Sequence, residues 1–151
     1  MSRQAITHDK FVIERTYQAS PGQVFAAWAD PAVKARWFIG PEGWTEIRRE
    51  LDFRIGGEEL LHGRYGTGET LFRARFHDIV ADERVIYVYD MYMGEKHHSV
   101  SLAAVEFQPV RGGTKLIFTE SVAFLDGTSS AVSREHGTAV HLDRLAAQFR
   151  K

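Results

Sequence analysis

The sequence predicts an α+β fold: a curved antiparallel sheet of about six to seven strands around a long C-terminal helix, with two short helices after the first strand. Three observations predict it. An alternating segment near the start is followed at once by two helix-start signals. From Thr45 to about Phe124, turn signals separate short runs rich in aromatic and branched residues. The last stretch, Ser129 to Lys151, returns to helical spacing.

Between Lys10 and Ala19, the residues Phe11, Ile13, Arg15, Tyr17 and Ala19 alternate with more polar ones, which is the period of a strand. Ser20-Pro21-Gly22-Gln23 then reads as a helix start. Ser20 can cap, Pro21 suits the first helical position, and Gln23 completes a capping box. Val24, Phe25 and Trp28 share one face of this helix. Asp30-Pro31 ends it and opens a second short helix carrying Val33, Trp37 and Phe38. Beyond Gly40-Pro41-Glu42-Gly43, turns recur at Gly56-Gly57, Gly66-Thr67-Gly68, Asp82-Glu83, Gly94-Glu95 and Gly112-Gly113. Short connections between strands make antiparallel neighbours, so this part is a meander of about six strands. In the last segment Val132, Ala139, Leu142, Leu145, Ala146 and Phe149 form an apolar stripe, with Arg134, Arg144 and Arg150 off it. A sheet with one apolar face needs cover, and this helix is the only element long enough to supply it. A cavity between the two is the natural by-product.

The 151 residues fit one domain, 1–151, with about 1–9 as a loose N-terminus. A net charge of −1 does not suit a protein built to neutralise phosphates, so no nucleic-acid partner is expected. Cysteine is absent, which removes disulfides, thiolate metal sites and a cysteine nucleophile. No apolar run approaches the ~20 residues of a membrane span. The opening residues lack the apolar centre of a signal peptide, so no membrane insertion and a cytoplasmic location are expected. Aromatic residues reach 12%, enough to fill a core or to line an apolar pocket.

Five stretches carry a resemblance: Arg15-x-Tyr17-x-Ala19-Ser20-Pro21, Val24-Phe25-x-x-Trp28-x-Asp30-Pro31, Arg36-Trp37-Phe38-x-Gly40-Pro41, Asp52-x-Arg54-x-Gly56-Gly57 and Gly137-Thr138-x-x-x-Leu142-Asp143-x-Leu145. Taken in order over nearly the whole chain, they resemble the START-like, birch-pollen-allergen-like (SRPBCC) superfamily. Within it, the chain resembles the bacterial relatives of the activator of heat-shock-protein-90 ATPase. The resemblance implies a helix-grip fold in which the first and last strands are neighbours. It does not select a function, because the superfamily hosts lipid carriers, hormone binders, polyketide cyclases and co-chaperone domains. Many relatives carry Gly-Trp where this chain has Gly137-Thr138, which implies a roomier groove here.

Standard catalytic motifs are missing: no G-x-x-x-x-G-K-[ST], no G-x-S-x-G, no H-E-x-x-H. The glycine-rich stretch Gly63 to Gly68 reads as a hairpin turn, since phosphate cradling needs a helix behind the loop. Adjacent His97 and His98 on a strand point to opposite faces. His136 and His141 stand about 140° apart around a helix axis. No metal and no cofactor are expected.

Three polar residues fall on apolar faces. Glu120 belongs to the run Leu116, Phe118, Glu120, Val122, and Arg15 lies among Phe11, Ile13 and Tyr17. With the first and last strands adjacent, one reading pairs Arg15 with Glu120 as a partly buried register pin. In the other, Glu120 is an unpaired acid, base or anchor in the cavity; plain exposure is the third. His136, with Glu135 beside it, lies at the start of the last helix, where it could move protons at the cavity mouth. Glu120 and His136 are therefore the catalytic candidates. The candidate ligand-binding set is Trp28, Trp37, Phe76, Tyr87, Tyr89, Phe107, Phe118, Glu120, His136 and Leu142, with Arg73 and Arg75 expected to point outward.

Three functions stay open on these residues. The first is binding of a small hydrophobic or aromatic molecule between sheet and helix. A cyclase- or dehydratase-like enzyme would use the same cavity with a proton-moving pair inside it. A co-chaperone-like protein-interaction domain would show an exposed patch outside the groove. A protein partner and a homodimer are compatible with all three.

Overall fold

The computed structural model describes residues 5–127 and 131–150. Its elements, in order, are β1 (Thr7–Tyr17), α1 (Pro21–Ala29), α2 (Pro31–Trp37), β2 (Trp44–Leu51), β3 (Glu58–Tyr65), β4 (Gly68–Val80), β5 (Arg84–Met93), β6 (Lys96–Val110), β7 (Gly113–Phe124) and α3 (Ala131–Ala146), closed by a 3-10 turn, Ala147–Phe149. The strands form one antiparallel sheet in the order β1-β7-β6-β5-β4-β3-β2. β1 thus lies beside β7, and β1 and β2 are the edges.

The helix starts form as the residues dictate. Ser20 Oγ accepts from the Gln23 amide at 3.2 Å, and Gln23 Oε1 accepts from the Ser20 amide at 2.9 Å, a complete capping box. Asp30 ends α1 and caps α2 by accepting from the Ala32 amide at 2.9 Å. The two helices lock through Trp37, whose indole N–H donates to the Ala27 carbonyl at 3.0 Å. Register shifts at Glu46/Arg48, Phe76/Asp78 and Met91/Tyr92 are bulges, which bend the sheet around α3.

Alternation decides which side chains face α3. On β7, Leu116, Phe118, Glu120, Val122 and Phe124 are all buried. On β4, Phe72, Ala74 and Phe76 are buried, while Arg73 and Arg75 are exposed. The Tyr17 hydroxyl donates to the Leu142 carbonyl at 2.8 Å and fixes β1 to α3; burial pushes that phenol well above its ordinary pKa.

Four expectations need correction. Arg15 and Glu120 do not pair: register sets Phe11 opposite Glu120 and Arg15 opposite Leu116. Arg15 instead reaches Asp143 of α3, Nε to Oδ1 at 2.7 Å, because β1 is an edge strand and α3 passes beside it. The stripe of α3 lacks Val132, which is 78% exposed, while Arg134 turns inward. Two helical residues are about 200° of rotation, so when Arg134 faces the sheet Val132 faces away. Ala139, Leu142, Leu145, Ala146 and Phe149 do pack on the core. Finally, β1 begins at Thr7, so residues 7–9 are strand rather than a loose tail. Residues 1–4 and Ser129, the expected start of the last helix, lie outside the described residues.

Candidate functional site

The concave face of the sheet and the helices enclose a cavity of about 360 Å³. Its floor is Thr70 and Phe72 of β4, Tyr87, Tyr89 and Met91 of β5, and Phe118 and Glu120 of β7. Trp28, Lys34, Trp37 and Phe38 form one wall, and Arg134, Gly137, Thr138, His141 and Leu142 of α3 form the other. Exposed Tyr65 and Met93 rim it, together with Trp44. Trp44 sits where Gly40 and Gly63 leave room for it: a Cβ on either glycine would overlap the indole. Its N–H donates to Thr70 Oγ1 at 3.2 Å. All three tryptophans of the chain therefore belong to this one lining.

Two buried ion pairs anchor the apolar lining. Lys34 Nζ meets Glu59 Oε1 at 2.9 Å, with side chains only 4% and 3% exposed. The ammonium also lies 4.8, 5.5 and 5.1 Å from the ring centres of Trp28, Trp37 and Phe38. On the α3 side, Glu120 Oε2 accepts from the Tyr89 hydroxyl at 2.8 Å, from the Ser101 hydroxyl at 2.7 Å and from Arg134 Nη1 at 3.1 Å. Arg134 also donates to Tyr89 Oη and to Ser99 Oγ, both at 2.7 Å. Glu120 is fully buried, and its Oε1 has no hydrogen-bond partner among the described residues. Burial first, and then the Glu120 charge, push the Tyr89 phenol far above its ordinary pKa; burial and the Tyr89 and Glu120 charges do the same to Tyr87. Both tyrosines keep their protons at neutral pH.

His141 is a further titratable group of the lining. Nδ1 is 3.4 Å from the Trp37 carbonyl, and the ring lies 5.1 Å from Phe38. Burial lowers its pKa to about 4, against the pull of the Trp37 carbonyl and with the help of Arg144 and Lys34. The sign follows from linkage: as pH falls, the unfolded ring takes its proton first, near 6.5, and the folded ring only near 4. Stability is expected to be intact above about 6.5 and to fall between that pH and about 4, by roughly 3 kcal/mol from this residue. Urea midpoints across that range should fall less steeply in His141→Phe; equal slopes would refute the assignment.

Of the candidate ligand-binding residues, Trp28, Trp37, Tyr87, Tyr89, Phe118, Glu120 and Leu142 line the cavity. Phe76 and Phe107 do not. They are core residues behind it, Phe76 against Phe53 at 5.1 Å and Phe107 against Phe25 at 5.6 Å. His136 and Glu135 are exposed on the outer side of α3, because the inward face is already set by Arg134, Thr138 and Leu142. The sequence reasoning missed Lys34, Glu59, Trp44, Arg134 and His141. Two signals were available: Glu59 shares strand parity with buried Leu61 and Gly63, and Arg134, Thr138, His141 and Leu145 recur at helical spacing. Among the described residues, no group of three His, Asp or Glu is placed to hold a metal ion.

A seven-stranded antiparallel sheet closed on a C-terminal helix, with an aromatic cavity between them, defines a helix-grip protein of the START-like class. The chain belongs to the family described as Activator of Hsp90 ATPase homolog 1-like protein, whose model matches residues 18–150. It is similar to the Mll3558 protein from Rhizobium loti at 42% identity, covering 96% of this chain and 99% of that one, with a TM-score of 0.89. A putative uncharacterized protein from Rhizobium leguminosarum is 39% identical over 95% of both chains, with a TM-score of 0.88. An AHSA1-like protein from Aeromonas hydrophila shares the fold at 21% identity and a TM-score of 0.69, over 92% of this chain and 90% of that one. No curated protein matches the chain. No helix among the described residues is long and apolar enough to cross a membrane.

Proposed function

We propose that the protein binds a small, hydrophobic, ring-containing molecule in the cavity between the sheet and α3. One observation carries this reading: an aromatic-lined space of about 360 Å³ whose two cations, Lys34 and Arg134, are each paired with a buried carboxylate. That volume falls in the range of small-molecule sites, roughly 300–1,000 Å³, toward its compact end. The cyclase-like alternative needs an acid and a base turned toward the cavity. Of the two residues the sequence offers for that role, Glu120 is engaged by Tyr89, Ser101 and Arg134, and His136 faces outward.

The test uses Thr138, whose side chain borders the cavity and whose hydroxyl donates only to the Arg134 carbonyl one turn back, at 3.0 Å. Thr138→Trp is expected to fill the space. Fluorescence enhancement of the neutral probe N-phenyl-1-naphthylamine should show saturable binding to the wild type and at least about tenfold weaker binding to the variant. The urea midpoint should stay close to wild type. Equal binding by both proteins would place the probe elsewhere and refute the reading.

A further inference from the structure

We propose that the ligand is an uncharged ring compound bearing a hydroxyl group, and that this hydroxyl donates its hydrogen to Nε2 of His141. The proposal rests on the binding reading above and narrows it to a chemical class.

The charge balance of the lining supplies the first half of the argument. Lys34 is spent on Glu59 at 2.9 Å and Arg134 on Glu120 at 3.1 Å, so the walls present no uncompensated charge. An ionised ligand would have to leave water for this apolar space without a counter-charge, which costs several kcal/mol. A carboxylate would also approach the Glu120 carboxylate when it approached Arg134. An uncharged molecule meets neither penalty.

The direction of the free hydrogen-bonding groups supplies the second half. The two hydroxyls beside Glu120 are already committed: Tyr89 and Ser101 both donate to its Oε2. On α3 the situation is reversed. A carbonyl can only accept, so the contact between the Trp37 carbonyl and His141 Nδ1 puts the ring hydrogen on Nδ1. Nε2 is then a lone-pair acceptor, makes no hydrogen bond among the described residues, and belongs to a side chain that lines the cavity. Burial keeps the ring neutral down to about pH 4, so the lone pair is available throughout the neutral range. Thr138, three residues earlier on the same face, has given its hydrogen to the Arg134 carbonyl and presents oxygen lone pairs as well. Two acceptors on successive turns of one wall call for a donor on the ligand. The only uncharged groups that are compact, stable on an aromatic or alicyclic ring and able to donate are hydroxyls and their nitrogen analogues. A hydroxyl is preferred because its oxygen can accept a hydrogen bond while its hydrogen is donated.

The experiment displaces N-phenyl-1-naphthylamine from the protein at pH 7 with three ring compounds of matched size: 2-naphthol, 2-methoxynaphthalene and 2-naphthoate. The first is a neutral donor, the second neutral without a donor, the third an anion. In the wild type, 2-naphthol is expected to bind about tenfold more tightly than either of the others, the size of one net hydrogen bond. In His141→Phe, which keeps a ring against Phe38 but has no lone pair, the advantage of 2-naphthol over 2-methoxynaphthalene should shrink to about threefold or less. Tightest binding by 2-naphthoate, equal binding of the two neutral compounds, or an undiminished advantage in His141→Phe would each overturn the proposal. If the probe binds and none of the three displaces it, the hydroxyl class fails while the cavity reading stands. If the probe itself does not bind, the cavity reading fails. The wild-type series decides between charge and donor even should the variant not fold.

Discussion

Glu59→Ala is expected to lower the free energy of unfolding by about 3–5 kcal/mol, read from urea or thermal denaturation. The Glu59 and Lys34 side chains are 3% and 4% exposed and meet at 2.9 Å. Removing the carboxylate leaves an ammonium sealed among Trp28, Trp37 and Phe38, with ring faces as its only compensation. Cation–π attraction of about 2 kcal/mol does not replace an ion pair plus its hydrogen bond in a dry site. Replacing both charges together, Lys34→Met with Glu59→Leu, should recover most of the loss, since similar apolar volumes refill the space with no orphaned charge. A single variant as stable as wild type would show that water reaches Lys34 and that this wall is open.

Arg134→Met should be the next most damaging change, about 3 kcal/mol, because it strips the counter-charge from a fully buried Glu120. Glu120→Gln should cost less, as Tyr89 and Ser101 still have an oxygen to donate to. Arg15→Met should stay within about 1 kcal/mol, since its partner Asp143 is 63% exposed at the side chain. A double-mutant cycle separates the two accounts of Glu120. Coupling with Arg134 should exceed about 1 kcal/mol, and coupling with Arg15 should be near zero. The reverse result would restore the register pin between β1 and β7.

These two pairs also show what can and cannot be read from the chain. Local rules carried the fold: Ser20-Pro21-x-Gln23 and Asp30-Pro31 specify the helix starts through their own backbone hydrogen bonds. Period-two alternation on β4 and β7 told inward from outward, including for Glu120 and Arg75, because a sheet with one buried face enforces it. What escaped was partnership. Glu120 faces inward by its own strand, but whether Arg15 or Arg134 answers it depends on how α3 rotates over the sheet, a distance of many residues in sequence. The rule that charges lie outside then misled the reading of α3: Arg134 was set on the solvent face and Val132 on the core face, and both are the other way round. Lys34 escaped for the same reason, being a lysine in a short helix whose burial depends on Glu59 of β3. Depth was equally illegible. Alternation marks Phe76 and Phe107 as inward, but only the packing of Phe53 and Phe25 against them shows that they stand behind the cavity wall.

The most direct test of the cavity as a binding site is a ¹H–¹⁵N correlation spectrum of the labelled protein titrated with 2-methoxynaphthalene or N-phenyl-1-naphthylamine. The chain has three tryptophans, and the side chains of Trp28, Trp37 and Trp44 all line the one cavity. Saturable, stoichiometric binding should move all three indole N–H signals together, with the backbone amides of Thr138 and His141, and leave those of exposed Val12 and Leu102 on the outer sheet face in place. Shifts confined to the outer face, with the indole signals unmoved, would contradict the account and turn attention to that surface.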